Sequence, residues 1–204
     1  MHLEFLVEET SAEAVLQNIV PKVVGQTISF RIHPFQGKSD LLKKLPDRLK
    51  GYKNWIPKDW RIVVLIDRDN EECKQLKAKM EIVAQRVGFR TKSMSSGSSN
   101  FQVLNRLAIE ELEAWFFGDI AAIHAAYPRI SIHLGNRANY RDPDAITGGT
   151  WEALERVFKR AGYFTGGLNK LTAARAISLN MAPEQNRSHS FQVFLRGLEE
   201  TVRK

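Results

Sequence analysis

A single cysteine in 204 residues, Cys73, excludes an internal disulfide and any thiolate-bound metal cluster. No apolar run approaches the length that spans a bilayer. The N-terminus carries no basic region leading into an apolar stretch, so a cytoplasmic protein with no membrane segment is expected. Internal repeats and heptad arrays are also missing. Phosphate-cradling loops are scarce: Gly37-Lys38-Ser39 lacks the upstream glycine of a Walker motif, and Gly148-Gly149 and Gly166-Gly167 suit turns beside helices. His33, His124 and His133 have no metal-ligand spacing. What remains is ordinary globular chemistry, 43% apolar and 26% charged, in a chain long enough to bury a full core. The formal charge of +7 favours an anionic partner such as nucleic acid.

Strands and helices alternate through the first half. Residues 3–7 are short and apolar, and Thr10 with Glu13 three residues later reads as a capping box. Val15, Leu16, Ile19, Val20 and Val23 follow at helical spacing. Ile28, Phe30 and Ile32 alternate as in a strand. Residues 39–52 read as a helix that Pro46 should kink or restart. Residues 62–66 (Ile-Val-Val-Leu-Ile) form a strand buried on both faces, then a helix spans about 70–87, with Cys73 on its apolar face and Gly88 closing it. A short strand at 89–92, a polar loop at 93–100, a strand at 101–109 and one helix from Glu110 to Tyr127 complete a βαβαβαβ series. This is an α/β domain with a largely parallel central sheet flanked by helices. After Pro128 the composition shifts to a long loop (129–150), and helices are expected at 150–161, 168–181 and 189–202. The expected division is an α/β domain over 1–128 and a loop plus helical C-terminal extension over 129–204 packing on it.

The chemistry concentrates where residues 62–66 end in Asp67-Arg68-Asp69. Ligands gather outside the carboxyl ends of parallel strands, and two carboxylates there repel each other unless a hard cation such as Mg²⁺ or Mn²⁺ joins them. Glu8 and Glu9 close the first strand at the same edge. Three converging carboxylates would suit one or two Mg²⁺ ions and phosphate chemistry. The competing reading is that strand ends are polar anyway and that Asp caps the next helix.

A strand ending in Glu (Phe5-Leu6-Val7-Glu8) and a later strand ending in Asp-x-Asp (Val64-Leu65-Ile66-Asp67-Arg68-Asp69) resemble the Toprim pattern of topoisomerases, primases, small RNA-maturing nucleases and OLD-type nucleases. Glu9 stands where that pattern usually has glycine. The segments Gly37-Lys38-Ser39-Asp40-Leu41, Glu111-Leu112-Glu113-Ala114-Trp115 and Asn186-Arg187-Ser188-His189-Ser190-Phe191 extend a resemblance to a bacterial family related to OLD-type Toprim domains over nearly the whole chain. That resemblance implies a Toprim-like fold. It implies that Glu8 acts as general acid/base or metal ligand and that Asp67 and Asp69 bind magnesium. Glu113 or Glu110 is then the further acidic residue; on one helix the two would share a face. The resemblance further implies a separately encoded ATPase partner of the ABC/OLD class and a role in anti-phage defence or DNA processing.

Among the basic residues, Lys38, Arg68, Lys170, Arg175 and Arg187 are phosphate or nucleic-acid candidates, each with a bland alternative as a solvated or helix-capping residue. Lys38, Lys43, Lys44, Arg48 and Lys50 form a basic stretch with the same two readings. Two function classes follow: a Mg²⁺-dependent nuclease acting on DNA or RNA, and a non-catalytic Toprim-like module that binds nucleic acid or regulates its ATPase. Sugar-nucleotide transferases need a larger acceptor domain. Phosphatases with an aspartyl nucleophile place Asp-x-Asp on the first strand, not the third.

Overall fold

The computed structural model describes residues 1–95 and 100–203. Four strands, β1 (His2–Val7), β2 (Ser29–Pro34), β3 (Arg61–Asp67) and β4 (Val103–Ala108), form one sheet in the order β2-β1-β3-β4. Every pairing is parallel. The chain leaves β1 for β2 on one side, then crosses back to β3 on the other. A crevice therefore opens between the carboxyl ends of β1 and β3, where strand order reverses and open α/β sheets bind ligands.

Alternation along the strands divides the interior into two layers. Leu3, Phe5, Val7, Val63, Leu65, Leu104 and Ala108 face α1 (Thr10–Val24) and the C-terminal helices α6 (Thr150–Arg160), α7 (Lys170–Asn180) and α8 (His189–Val202). Leu6, Ile62, Val64, Ile66, Val103 and Leu107 face α2 (Lys38–Lys53) and α3 (Cys73–Arg86). The first layer joins both halves of the chain in one core, because Leu154, Phe158, Ile177, Phe191 and Phe194 pack in it with the strands. No helix among the described residues is long and apolar enough to cross a membrane.

Several elements differ from the sequence reading. No capping box forms on Thr10: Glu9 is the N-cap of α1, with no side-chain cap bond. α2 runs unbroken through Pro46. Residues 89–92 make no strand; Thr91 forms one isolated bridge to Val103, and a single 3₁₀ turn (Lys92–Met94) follows. Of the polar loop expected at 93–100, residues 96–99 lie outside the described residues. The helix expected from Glu110 to Tyr127 is two, α4 (Glu113–Phe117) and α5 (Ile120–Ala126). Asp119 ends the continuity by capping α5 through the Ala122 amide, while its other oxygen accepts from the Ala182 amide. Residues 129–150 hold three 3₁₀ turns, and Ile130, Leu134, Tyr140 and Ile146 drop into the core from them.

The break between α4 and α5 is fixed from outside by residues 186–190. The Asn186 side-chain amide donates to the Trp115 carbonyl (2.8 Å), and the Trp115 indole donates to Ser190 Oγ (3.0 Å). Gly118 lies under this clasp: a Cβ there would sit 2.0 Å from Asn186 Oδ1 and 2.9 Å from the Ser188 amide nitrogen. Gly118→Ala is expected to cost about 1–3 kcal/mol of unfolding free energy. Urea denaturation checks this; an unchanged midpoint would show that the clasp yields freely.

Candidate functional site

Glu8 directly follows β1, and β3 ends at Asp67 with Asp69 two residues beyond it. Glu8 leaves β1 with its backbone held, since its carbonyl accepts from the Gly37 amide (2.9 Å) just before α2 begins. Gly37 takes φ +91, the left-handed region that glycine tolerates. Glu9 has φ −151 and ψ 173, an extended conformation open to any residue, so a glycine is not required there. On β3, Asp67 keeps the parity of Val63 and Leu65 and so belongs to the side of the sheet where α4 packs. β3–β4 pairing continues past the strand, through Arg68 N–H to the Ala108 carbonyl and Asp69 N–H to the Glu110 carbonyl. Asp69 adopts φ +50, which aspartate accepts more readily than most residues.

Burial sets the electrostatics. Glu8 is 9% exposed and its Oε1 has no hydrogen-bond partner. Desolvation pushes its carboxyl up to about 7; Lys38 opposes the shift, and Asp69 adds to it. Asp67 is raised well above the usual carboxylate range, by burial first and then by Glu8, Glu113 and Asp69; a bond from the Leu112 amide opposes this. Glu113, 3% exposed at the start of α4, is pushed by burial up to about 7 against the pull of Lys170. Asp67 is the hub that feels both Glu8 and Glu113.

Two ammonium groups answer this charge. Lys38, the first residue of α2, ion-pairs with Asp69, reaches Glu71 at 3.3 Å and donates to the Arg68 carbonyl at 3.1 Å. Burial lowers Lys38, but Asp69, Glu71 and Glu8 outweigh it and leave it raised. Lys170, the first residue of α7, lies 3.9 Å from Glu113 and 4.6 Å from the centre of the Trp151 ring. It too is raised, with burial outweighed by Glu113, Glu9, Glu111 and Asp67.

Of the residues expected at this edge, Glu8, Asp67, Asp69, Glu113, Lys38 and Lys170 form one electrostatic cluster. Glu110 departs from expectation. It precedes α4, shares no helical face with Glu113, and pairs with Arg68 at 3.5 Å. Arg175 lines a groove with Thr10, Glu13 and Gln17, and Arg187 lines a separate cleft with Gly118, Asp119 and Gly135. Ser188 caps α8 through the Phe191 amide and is held by Asp144, so this segment does not fold back to the carboxylates. Two contributors went unseen in the sequence. Glu71 pairs with Lys38, and Glu111 anchors the start of α6 by accepting from Thr150 Oγ1 (2.9 Å) and the Trp151 amide (2.7 Å). No local pattern joins Glu111 to a helix 39 residues away.

The donor set suits a hard cation. Among the described residues no group of three or more His, Cys, Asp or Glu side chains is placed to hold a metal ion. Mg²⁺ needs none, since it takes one or two carboxylates and keeps water or phosphate in its remaining positions. The unpartnered Oε1 of Glu8 and the raised Asp67 are the oxygens that would hold it, with Asp69 beside them at the exposed rim. Next to that rim lies a cavity of about 340 Å³ lined by Asp69, Asn70, Glu110, Glu111 and Glu152.

Residues 7–199 fit the family model described as "Domain of unknown function (DUF4276)". No curated protein and no solved structure matches the chain.

The raised carboxyls make stability depend on pH. Glu8 and Glu113 titrate near 7 when folded, against 4.5 ordinarily, so the folded chain holds more protons than the unfolded chain between those values. Stability in EDTA should therefore be highest below about pH 5 as far as these groups decide it. It should fall towards pH 7, by on the order of 1–3 kcal/mol for each carboxyl. Glu8→Gln should remove its share of the slope and stabilise the chain at pH 8. Denaturation from pH 5 to 8 tests both; a variant with the parent's slope would contradict the assignment.

Proposed function

We propose that this chain, which belongs to the DUF4276 family, is a Toprim-like, Mg²⁺-dependent phosphodiesterase acting on nucleic acid. The observation that carries the reading is the meeting of Glu8, Asp67 and Glu113 at the crevice between β1 and β3: Glu8 and Glu113 are buried, desolvation raises all three, and Asp67 is raised further by the other two. Carboxyls kept this way are unfavourable without a cation and rarely arise from helix capping alone. Asp67 with Glu8 or Asp69 would hold the ion. When bound, Mg²⁺ or Mn²⁺ supplies charge to polarise a phosphate oxygen and to acidify water.

The chain's own residues divide the remaining work. Glu113, near 7, can hold or release a proton at working pH, which suits general acid/base transfer. Lys38 and Lys170, both ammonium groups at helix starts on the rim, can take a phosphodiester's charge from two sides. The +7 charge favours approach of a polyanion. A separately encoded ABC/OLD-type ATPase is the expected partner, and anti-phage defence or DNA processing the expected setting.

One observation favours a second reading. Lys38 already neutralises Asp69, and Arg68 already pairs with Glu110, so part of this edge is balanced without metal. A Toprim-like module that binds nucleic acid or regulates its ATPase without cutting would be built this way.

Cleavage assays on plasmid DNA and on RNA, with Mg²⁺ or Mn²⁺ and with or without the ATPase, separate the two. The nuclease reading predicts metal-dependent cleavage that falls at least about a hundredfold when Asp67→Ala and Asp69→Ala are combined. No cleavage under any condition, with binding to the ATPase intact, would support the regulator instead.

A further inference from the structure

Away from the carboxylate edge, three guanidinium groups share one cleft. Arg129, Arg137 and Arg160 line a space of about 180 Å³ together with Ser131, over a floor that includes Ile130, Leu134 and Val157. No acidic residue lines it. Arg129 is fixed in place: its Nη2 donates to the Gly162 carbonyl (2.9 Å), and its guanidinium stacks on the Tyr163 ring at 4.0 Å. Arg137 and Arg160 are exposed, and neither side chain has a hydrogen-bond or ion-pair partner among the described residues. Arg160 ends α6, where the helix dipole already attracts one cation, but two more guanidinium groups beside it repel one another. Such a group of like charges, one member held rigid and two left open, is complementary to an oxyanion with several acceptor oxygens.

We infer that this cleft is a phosphate-binding subsite for the backbone of the nucleic acid that the chain acts on. The inference rests on the nucleic-acid reading above and deepens it. α6 ties the cleft to the carboxylate edge: its first turn is held by Glu111 and carries Trp151 against Lys170, and its last residue is Arg160. Ten helical steps separate the two ends by about 15 Å. Along a duplex strand that distance covers about four or five nucleotides. The cleft therefore grips the backbone several nucleotides from the reacting phosphate and sets a minimum length for a well-bound substrate.

The test is fluorescence anisotropy of labelled DNA and RNA oligonucleotides with the full chain in EDTA, across a range of salt, so that binding is read without cleavage. Arg137→Ala with Arg160→Ala should weaken binding about tenfold or more and lower the log–log salt slope by about 1.4 for single strands. Arg137→Lys with Arg160→Lys should restore most of the slope, and Lys58→Ala with Lys74→Ala, exposed lysines away from the cleft, should cost under about threefold. Circular dichroism of each variant reports folding directly. If the wild type binds and the arginine variant binds equally well, the subsite is overturned while the nucleic-acid reading stands. Equal losses in the arginine and lysine variants would reduce the cleft to diffuse charge and also overturn it. Polyglutamate competing as well as an oligonucleotide would replace the phosphate assignment with an acidic protein partner. A wild type that binds no oligonucleotide removes both readings.

Discussion

Desolvation of the carboxyls that meet at the crevice between β1 and β3 is the constraint on which the site depends. Desolvation raises Glu8, Asp67 and Glu113 alike, and Asp67 is raised further by the charges of Glu8, Glu113 and Asp69. The fold answers with ammonium groups at the starts of α2 and α7, helices that pack on opposite sides of the sheet. Without these two lysines the burial of Glu113 and the exposed turn of Asp69 would have no compensating charge. The cluster is thus shared between the N-terminal strands and the C-terminal helices. Under the proposed function the lysines would exchange carboxylate for phosphate when a polyanion arrives.

The parts of the fold that are local in sequence are legible along the chain. The parallel sheet with flanking helices is visible in the uninterrupted apolar run of Ile62 to Ile66 and in the helical spacing of Val15 to Val20. All three C-terminal helices fall close to where their periodicity places them. Asp67 and Asp69 stand out because a buried strand rarely ends in paired acids. The main departure has a long-range cause. Residues 110–127 have helical composition throughout, but Gly118 and Asp119 are claimed by Asn186, Ser188 and Ala182 from the far end of the chain. Thr91, expected within a strand, makes a single isolated bridge to Val103.

Site residues divide along the same line. Glu8 and Asp67 could be placed by strand parity and a shared sheet edge. Lys170 could be named only as one basic residue among several, since its place beside Glu113 depends on how α7 packs against α1 and α5. Glu111, although it opens one of the family-like segments, and Glu71 could not be given their roles from sequence, because a carboxylate that caps a distant helix or pairs with a distant lysine looks like any surface acid. Arg187 shows the converse: a basic residue in a distinctive segment whose neighbours Ser188 and Ser190 are used for capping and for holding Asp144.

Whether the crevice holds a divalent cation is the claim from which the rest follows, and Mn²⁺ titration followed by electron paramagnetic resonance measures it without relying on turnover. At pH 8 the account predicts saturable Mn²⁺ binding that Mg²⁺ displaces, that Asp67→Asn abolishes, and that Glu110→Gln leaves in place. Absence of binding, or binding that survives Asp67→Asn unchanged, would contradict it.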